Sequence, residues 1–423
     1  MSHVLLILAV AVAGCLAPAQ VLAQPTDGSA PEGRYLLGSA VSVTPAVAIV
    51  VGRDSNAIRT NTGTPAGEVY VVPQIESWIG RGRFRLNLAN AVEFSKQKTQ
   101  TGVAGDANTV ALNNISTTNQ YHVGRLDVGG PRLALQGVAG YRNHYAPPTD
   151  FVGFELGLKS RRVETELGTT VTIRPGGRLF YRGLVNASRL RYDADFRFQG
   201  ASLEQNLNRN ITLFGGEAQV QLTPLSSAGV SVNYYRDRFL FASNRDGNGL
   251  RVMAGGQFSP RALLSGRAEA GFLRYTTVET NQEYGGPAYN VGLSLTKAPV
   301  FLDVSGRRTI QYSFDPGRGF YVSDGIDVFS TVSVRAKWEL FGRASYYTME
   351  PRGLLAADEP IRGISLVKGG LVRQFGSTTR IGTDIERYST GGPGGFNGTR
   401  VTMFMIYGTT RLQRLDRPLP GGY

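Results

Sequence analysis

The stretch Arg83-Phe84-Arg85-Leu86-Asn87-Leu88-Ala89-Asn90-Ala91-Val92-Glu93-Phe94 decides the fold. In an extended chain Phe84, Leu86, Leu88, Val92 and Phe94 share one face, while Arg83, Arg85, Asn87 and Glu93 share the other. A period of two marks a β-strand whose two sides meet unlike surroundings. The length then says which surroundings. Strands of soluble sandwiches run to about five or six residues, whereas a tilted strand needs about 9–11 to cross the hydrocarbon of a bilayer. This stretch is of the crossing kind.

The same pattern returns along the chain. Leu250, Val252, Ala254, Gly256 and Phe258 oppose Arg251, Met253 and Gln257; Leu264, Ala268, Ala270 and Phe272 oppose Ser265, Arg267 and Glu269. Ile381, Thr383 and Ile385 oppose Arg380, Asp384 and Glu386. Short turns are read at Gly80-Arg81-Gly82, Gly129-Gly130-Pro131, Pro175-Gly176-Gly177, Pro224-Leu225-Ser226, Ser259-Pro260-Arg261, Ala298-Pro299, Arg335-Ala336-Lys337 and Gly376-Ser377. Between them lie longer polar stretches at 53–67, 97–117, 145–150, 200–208, 240–247, 276–286, 315–319, 351–360 and 389–398. Short turns on one rim and long loops on the other are the habit of an outer-membrane β-barrel, with turns periplasmic and loops outside. The expected fold is all-β: a transmembrane antiparallel barrel of about 18 strands (16–20), even in number. A soluble propeller would need four short strands in each repeat.

One region breaks phase. Val152, Phe154, Leu156 and Leu158 are apolar on even numbers, but Val163, Leu167, Val171 and Ile173 on odd. Ser160-Arg161-Arg162 is read as a bulge in one long strand rather than a turn, since only then do both termini end on one side.

Composition agrees. The 423 residues include 54 Gly, 19 Tyr and 20 Phe, which suits strands and tight turns, because Gly is costly inside a helix. Tyr141, Tyr145, Tyr192, Tyr234, Tyr235, Phe239, Tyr275, Tyr312, Phe314, Tyr346, Tyr347 and Tyr388 fall near strand ends that lead into long loops, and Trp78 and Trp338 lie beside short turns. Two such levels are expected to form the aromatic girdles of a barrel, with Trp78, Trp338, Tyr234, Tyr346 and Tyr388 at the lipid interface. Val4 to Ala13 is an apolar run too short to span a bilayer and reads as an export signal. Cleavage after Ala23 is preferred over a lipoprotein box at Val12-Ala13-Gly14-Cys15. The expected organisation is a signal peptide at 1–23, a periplasmic segment at 24–39, the barrel at 40–412 and a tail at 413–423.

Cys15 is the only cysteine and there are three histidines, His3, His122 and His144, so neither a disulfide scaffold nor an ordinary zinc site is expected. No cofactor or metal is implied. The formal charge of +13 comes mostly from arginine, but no run of five Lys/Arg occurs, which argues against nucleic acid as a partner.

With that architecture, the chain resembles the β-barrel porin families of outer membranes, some of them exopolysaccharide-associated. The resemblance rests on Val43-Thr44-Pro45-Ala46-Val47 through Gly52-Arg53-Asp54-Ser55-Asn56, which is similar to an opening Pro-containing strand followed by a Gly-Tyr-Asp-Ser-Asn turn, with Arg53 departing from the usual aromatic. The C-terminus departs too, since Arg414 to Gly422 intervene before the final Tyr423, and the signal for barrel insertion is sought within Val401 to Leu412. The resemblance implies a channel for small hydrophilic or anionic solutes, with polysaccharide export as one setting.

The polar faces nominate the lumen lining: Arg83, Arg85, Arg182, Arg251, Arg267, Glu269, Asp303, Arg307, Glu339, Arg343, Arg380, Asp384 and Glu386. A surplus of inward arginine would enrich anions or acidic saccharides; the rival reading pairs these charges across neighbouring strands. Arg189, Arg191 and Arg197 are placed to meet lipopolysaccharide phosphates or to be solvated at the rim. Outer-membrane lipid, lipopolysaccharide and the barrel-insertion machinery are the expected partners. Two rival functions are a non-conducting structural or surface-interaction barrel and an outer-membrane hydrolase using His122 or His144. No Gly-x-Ser-x-Gly elbow supports the hydrolase.

Overall fold

The computed structural model describes residues 35–36, 41–55, 66–99, 115–146, 160–194, 197–198, 201–260, 262–279, 283–313, 319–335, 337–352, 362–376, 379–391 and 397–409. The export signal, Cys15, Val152 to Leu158, Phe314 and the tail from 410 lie outside these residues.

Eighteen long strands follow one another around the wall. They are β1 (Val41–Asp54), β2 (Ala66–Arg81), β3 (Phe84–Thr99), β4 (Ile115–Gly129), β5 (Leu133–Ala146) and β6 (Ser160–Gly176). Next come β7 (Leu179–Tyr192), β8 (Arg209–Thr223), β9 (Ser226–Phe239), β10 (Gly247–Phe258), β11 (Leu264–Thr277) and β12 (Glu283–Lys297). The last six are β13 (Val300–Tyr312), β14 (Phe320–Arg335), β15 (Trp338–Arg352), β16 (Arg362–Phe375), β17 (Thr379–Thr390) and β18 (Asn397–Thr409). Each pairs antiparallel with the next, and β18 pairs back onto β1 from Ala46↔Thr409 to Asp54↔Arg400, so the sheet closes. Closure leaves no strand without a neighbour on either side, which suits hydrocarbon because it offers backbone groups no hydrogen bonds. The barrel is the antiparallel, even-stranded kind that the alternation implied.

The eight short turns all fall on one rim. Positive φ at Gly82, Gly177 and Gly376, all near 60°, explains why glycine holds those corners. The other rim carries the long connections and a short helix, α1 (Leu203–Leu207), capped at its start by the Ser202 side chain accepting from the Gln205 N–H.

The alternation survives as burial. On β3, Phe94 is 51% exposed beside Glu93 at 2%. On β6, Leu167 and Ile173 lie exposed on the outer face. Ser160-Arg161-Arg162 is neither a bulge nor a turn: Ala146↔Ser160, Tyr145↔Arg161 and His144↔Arg162 continue the regular ladder with β5. From Ser160 onward the apolar phase is constant, with Leu167 and Ile173 outward.

One seam is incomplete. β12 and β13 pair only from Asn290↔Arg307 to Lys297↔Val300, although β11–β12 and β13–β14 stay paired out to Thr276↔Glu283 and Tyr312↔Phe320 at their loop-side ends.

Candidate functional site

The inner face of the wall is a field of matched charges rather than a surplus of arginine. Arg182 on β7 donates through Nη1 to Glu217 Oε2 on β8 at 3.0 Å. Arg267 on β11 reaches Glu217 Oε1 at 2.8 Å, across the two intervening strands, and also touches Glu269. Glu269 accepts from Ser231 Oγ at 3.1 Å. Contacts that skip strands form only inside a barrel, so these side chains face the lumen. Farther round, Arg343 on β15 grips Asp327 on β14 with two bonds, at 3.2 and 2.9 Å, and Lys368 meets Asp384 at 3.2 Å. Asp303 accepts from Ser294 Oγ at 2.5 Å, and Arg85 stands opposite Asp127 in register.

Arg251, Arg307, Glu339, Arg380 and Glu386 sit on the same inner phase, with Arg380 and Glu386 buried. Arg83 does not belong with them. It occupies the turn between β2 and β3, exposed, with its guanidinium close to Gly130 of the next turn.

Further carboxylates share this face, Glu93 on the polar side of its strand as the alternation has it and three others that the patterning does not pick out. Asp54, Glu68, Glu93 and Glu164 are buried. Glu93 accepts from Asn119 Nδ2 at 2.8 Å; Glu164 accepts from Arg142 Nη1 at 3.3 Å and forms an ion pair with Arg162, Nε to Oε1, at 2.6 Å. A surplus of inward arginine is therefore not what the described strands present. The unmatched bases lie outside instead, where Arg189, Arg236 and Arg387 are exposed on outward positions.

Two of the five aromatics expected at the lipid interface face inward. Tyr388 is 1% exposed, and its hydroxyl donates to Asp54 Oδ1 at 2.6 Å. It lies in phase with Asp384 and Glu386, so parity along β17 already placed it inside. Trp78 is in phase with Glu76 and donates from Nε1 to its carboxylate at 3.1 Å. Tyr234 and Tyr346 are 40% and 45% exposed on the outer face, and Trp338 shares the outward phase of Leu340, with the Arg373 guanidinium 5.1 Å from its ring centroid.

The largest unforeseen feature is an apolar cluster inside the loop-side half. It includes Leu190, Leu203, Leu207, Tyr235, Phe239, Leu273, Tyr275, Tyr312, Phe320 and Val322. Tyr192, Tyr235, Phe239, Tyr275 and Tyr312, expected in the outer girdle, are thus interior. Arg245 ties the loops above it, donating to the carbonyls of Asn206 at 2.8 Å, Ser313 at 2.6 Å and Gly319 at 3.0 Å, while lying 5.2 Å from the Phe239 ring centroid. Single residues drawn from distant loops carry no periodic signal, so the sequence held no pointer to Arg245.

The two barrel histidines lie on opposite faces. His122 is bonded to Asn90 Oδ1 at 3.0 Å on the outside, and His144 meets Glu164 at 3.5 Å within. Among the described residues no group of His, Cys, Asp and Glu is placed to hold a metal ion.

Replacing Asp54 with Asn should leave the buried Tyr388 hydroxyl a weaker acceptor and loosen the β1–β17 contact. We expect a loss of roughly 1–2 kcal/mol in refolding titrations, with Tyr388→Phe showing a similar loss. An unchanged midpoint in both variants would show that the bond contributes nothing.

The chain is similar to several solved structures. OpdK of Pseudomonas aeruginosa matches at 12% identity and a TM-score of 0.45, covering 87% of this chain and 98% of that one. OccK7 (OpdD) of the same organism matches at 9% identity and 0.47, covering 88% and 99%. OccAB3 of Acinetobacter baumannii matches at 10% and 0.44, covering 87% and 98%. No curated protein matches the sequence. Residues 35–298, well over half of the chain, match the model of one family. The protein, a closed barrel of the outer membrane with a charged inner face, belongs to the family described as "Putative beta-barrel porin 2".

Proposed function

We propose that the protein conducts small hydrophilic solutes, anionic ones included, across the outer membrane, with paired Arg and Glu/Asp side chains as its lining. The observation that carries this reading is the ladder from Arg182 through Glu217 and Arg267 to Glu269, which lines the inner wall with paired charge. Solutes exchanging water for such fixed donors and acceptors pass at low cost. Acidic saccharides fit the donors, and polysaccharide export is one setting that would supply them.

Two partners go with this reading. Arg189 and Arg236 stand on the outer face at the loop rim with Arg191 and Arg238 beside them, just above exposed Val185, Phe214 and Tyr234. That level suits the phosphates of lipopolysaccharide, which guanidinium groups bind bidentately. Arg197 is of the same run, but its side chain lies outside the described residues. Val401 to Thr409 forms most of the closing strand β18, where insertion machinery would engage an incomplete sheet.

A second reading has its own observation. The apolar cluster fills part of the loop-side lumen, as expected of a barrel that conducts nothing and works through its outer loops. Planar-bilayer recording separates the two. Discrete conductance steps are expected from the refolded chain, and Arg245→Ala should raise the step severalfold. It removes the three bonds from one guanidinium that tie the loop carbonyls together, and so loosens the loops. Silence from both proteins at high protein density would favour the closed barrel.

A further inference from the structure

The unpaired seam between β12 and β13 has an unusual partner arrangement. Residues 283–289 of β12 and 308–312 of β13 have no ladder with each other. On β13 and β14 the outward phase is set by Val304 and by Ile326, which is 43% exposed. Ile310, Tyr312, Phe320 and Val322 share that phase, yet all are buried, at 9%, 4%, 0% and 1%. Their neighbours are inward-facing residues of other strands. Tyr312 donates to Asp237 Oδ2 on β9 at 2.7 Å, and Phe320 meets Tyr275 on β11 edge-on at 4.9 Å. The loop-side ends of β13 and β14 have therefore slid inside the wall, and their outer face packs on the inner face of β9 to β12.

Local chemistry sustains the overlap. Pro287 has no N–H to give. Its carbonyl accepts from Arg308 Nη1 at 3.3 Å, so the missing donor is on the side that β13 would use. Arg251 donates to the Arg308 carbonyl at 3.0 Å, replacing the ladder bond that this edge has lost. Arg308 is itself held by Asp324 through two bonds, at 2.5 and 2.8 Å.

The buried face is equally suited to lipid. Ile310, Tyr312, Phe320 and Val322 read as an apolar band ending in aromatic rings, which is how the alternation alone presents them. A face that satisfies either a packed interior or a bilayer permits two arrangements of the same strands with little difference in free energy.

We propose that this seam is a dilating gate: the overlapped state narrows the loop-side lumen, and zipping β13 onto β12 moves the hairpin into the wall and widens it. The consequence for passage rests on the channel reading above; the motion does not. Arg251 and Tyr312 are the latches of the narrow state.

Cysteine pairing tests the motion directly. Continuing the register from Asn290↔Arg307 brings Ala288 opposite Thr309 only in the zipped state. Ala288→Cys with Thr309→Cys should cross-link poorly under mild oxidation, and several-fold more once Arg251→Gln and Tyr312→Phe are added. Heat-modifiable migration on SDS gels would certify that each variant is folded. The oxidised protein should show a larger conductance step than its reduced form. A yield unmoved by loss of the latches, or an oxidised form with the same or smaller step, would overturn the gate. Cross-linking that follows latch loss in a protein that never conducts would uphold the seam and overturn the channel.

Discussion

Leu88→Arg is expected to destabilise the barrel by about 2–4 kcal/mol, while Asn87→Arg, one residue away at the same depth, should stay within about 1 kcal/mol. Leu88 is 38% exposed on the outer face, where hydrocarbon cannot solvate a guanidinium. Asn87 faces inward and donates to Glu76 Oε1 at 3.0 Å, so arginine there exchanges one donor to that carboxylate for another. Val252→Arg and Ile385→Arg should behave as Leu88→Arg does, since both are exposed on the outer face, at 40% and 55%. The inner face is not uniformly tolerant. Met253 is 2% exposed within the apolar cluster, so arginine there overfills a packed site. At Asp384, 6% exposed against Lys368, arginine would set like charges together. Urea titrations in lipid vesicles read these differences. Equal losses at 87 and 88 would mean that the two faces of β3 do not meet different media.

That contrast marks how far the sequence could be read. The medium on each side of a strand writes itself into every second residue, so strand positions, turns and the even count were legible from β3, β10, β11 and β17. The same rule puts Tyr388 and Trp78 inside by parity, against the outward placement that their positions near strand ends suggest. What could not be read is tertiary. The overlap of β13 inside β12 depends on which apolar face a strand covers, and apolar residues do not distinguish lipid from a packed neighbour. The charge balance of the lumen also escaped, because Asp54, Glu68 and Glu164 stand near strand ends where the alternation is short.

The balance itself is open to reversal. Replacing Glu217 and Glu269 together with Gln should turn a weakly selective pore into one that prefers anions several-fold. In the parent these carboxylates match Arg182 and Arg267, so the potential they leave along this wall is small. The amides keep hydrogen-bond acceptors of nearly the same shape but remove two negative charges, and two guanidinium groups then face the lumen unmatched. A low-dielectric wall focuses that field on the water between the strands. Reversal potentials in a salt gradient should move toward the anion value. The shift should fade as salt rises, because the screening length falls from about 10 Å at 0.1 M to about 3 Å at 1 M. Arg267→Gln is the opposite test, since it leaves Glu269 without its arginine and Glu217 with Arg182 alone, and it should favour cations. A surplus of inward arginine, the alternative that the polar faces also allow, would instead make the parent itself prefer anions. Strong anion preference in the parent, unmoved by either exchange, would return that role to unmatched arginines at the rims and remove it from the ladder.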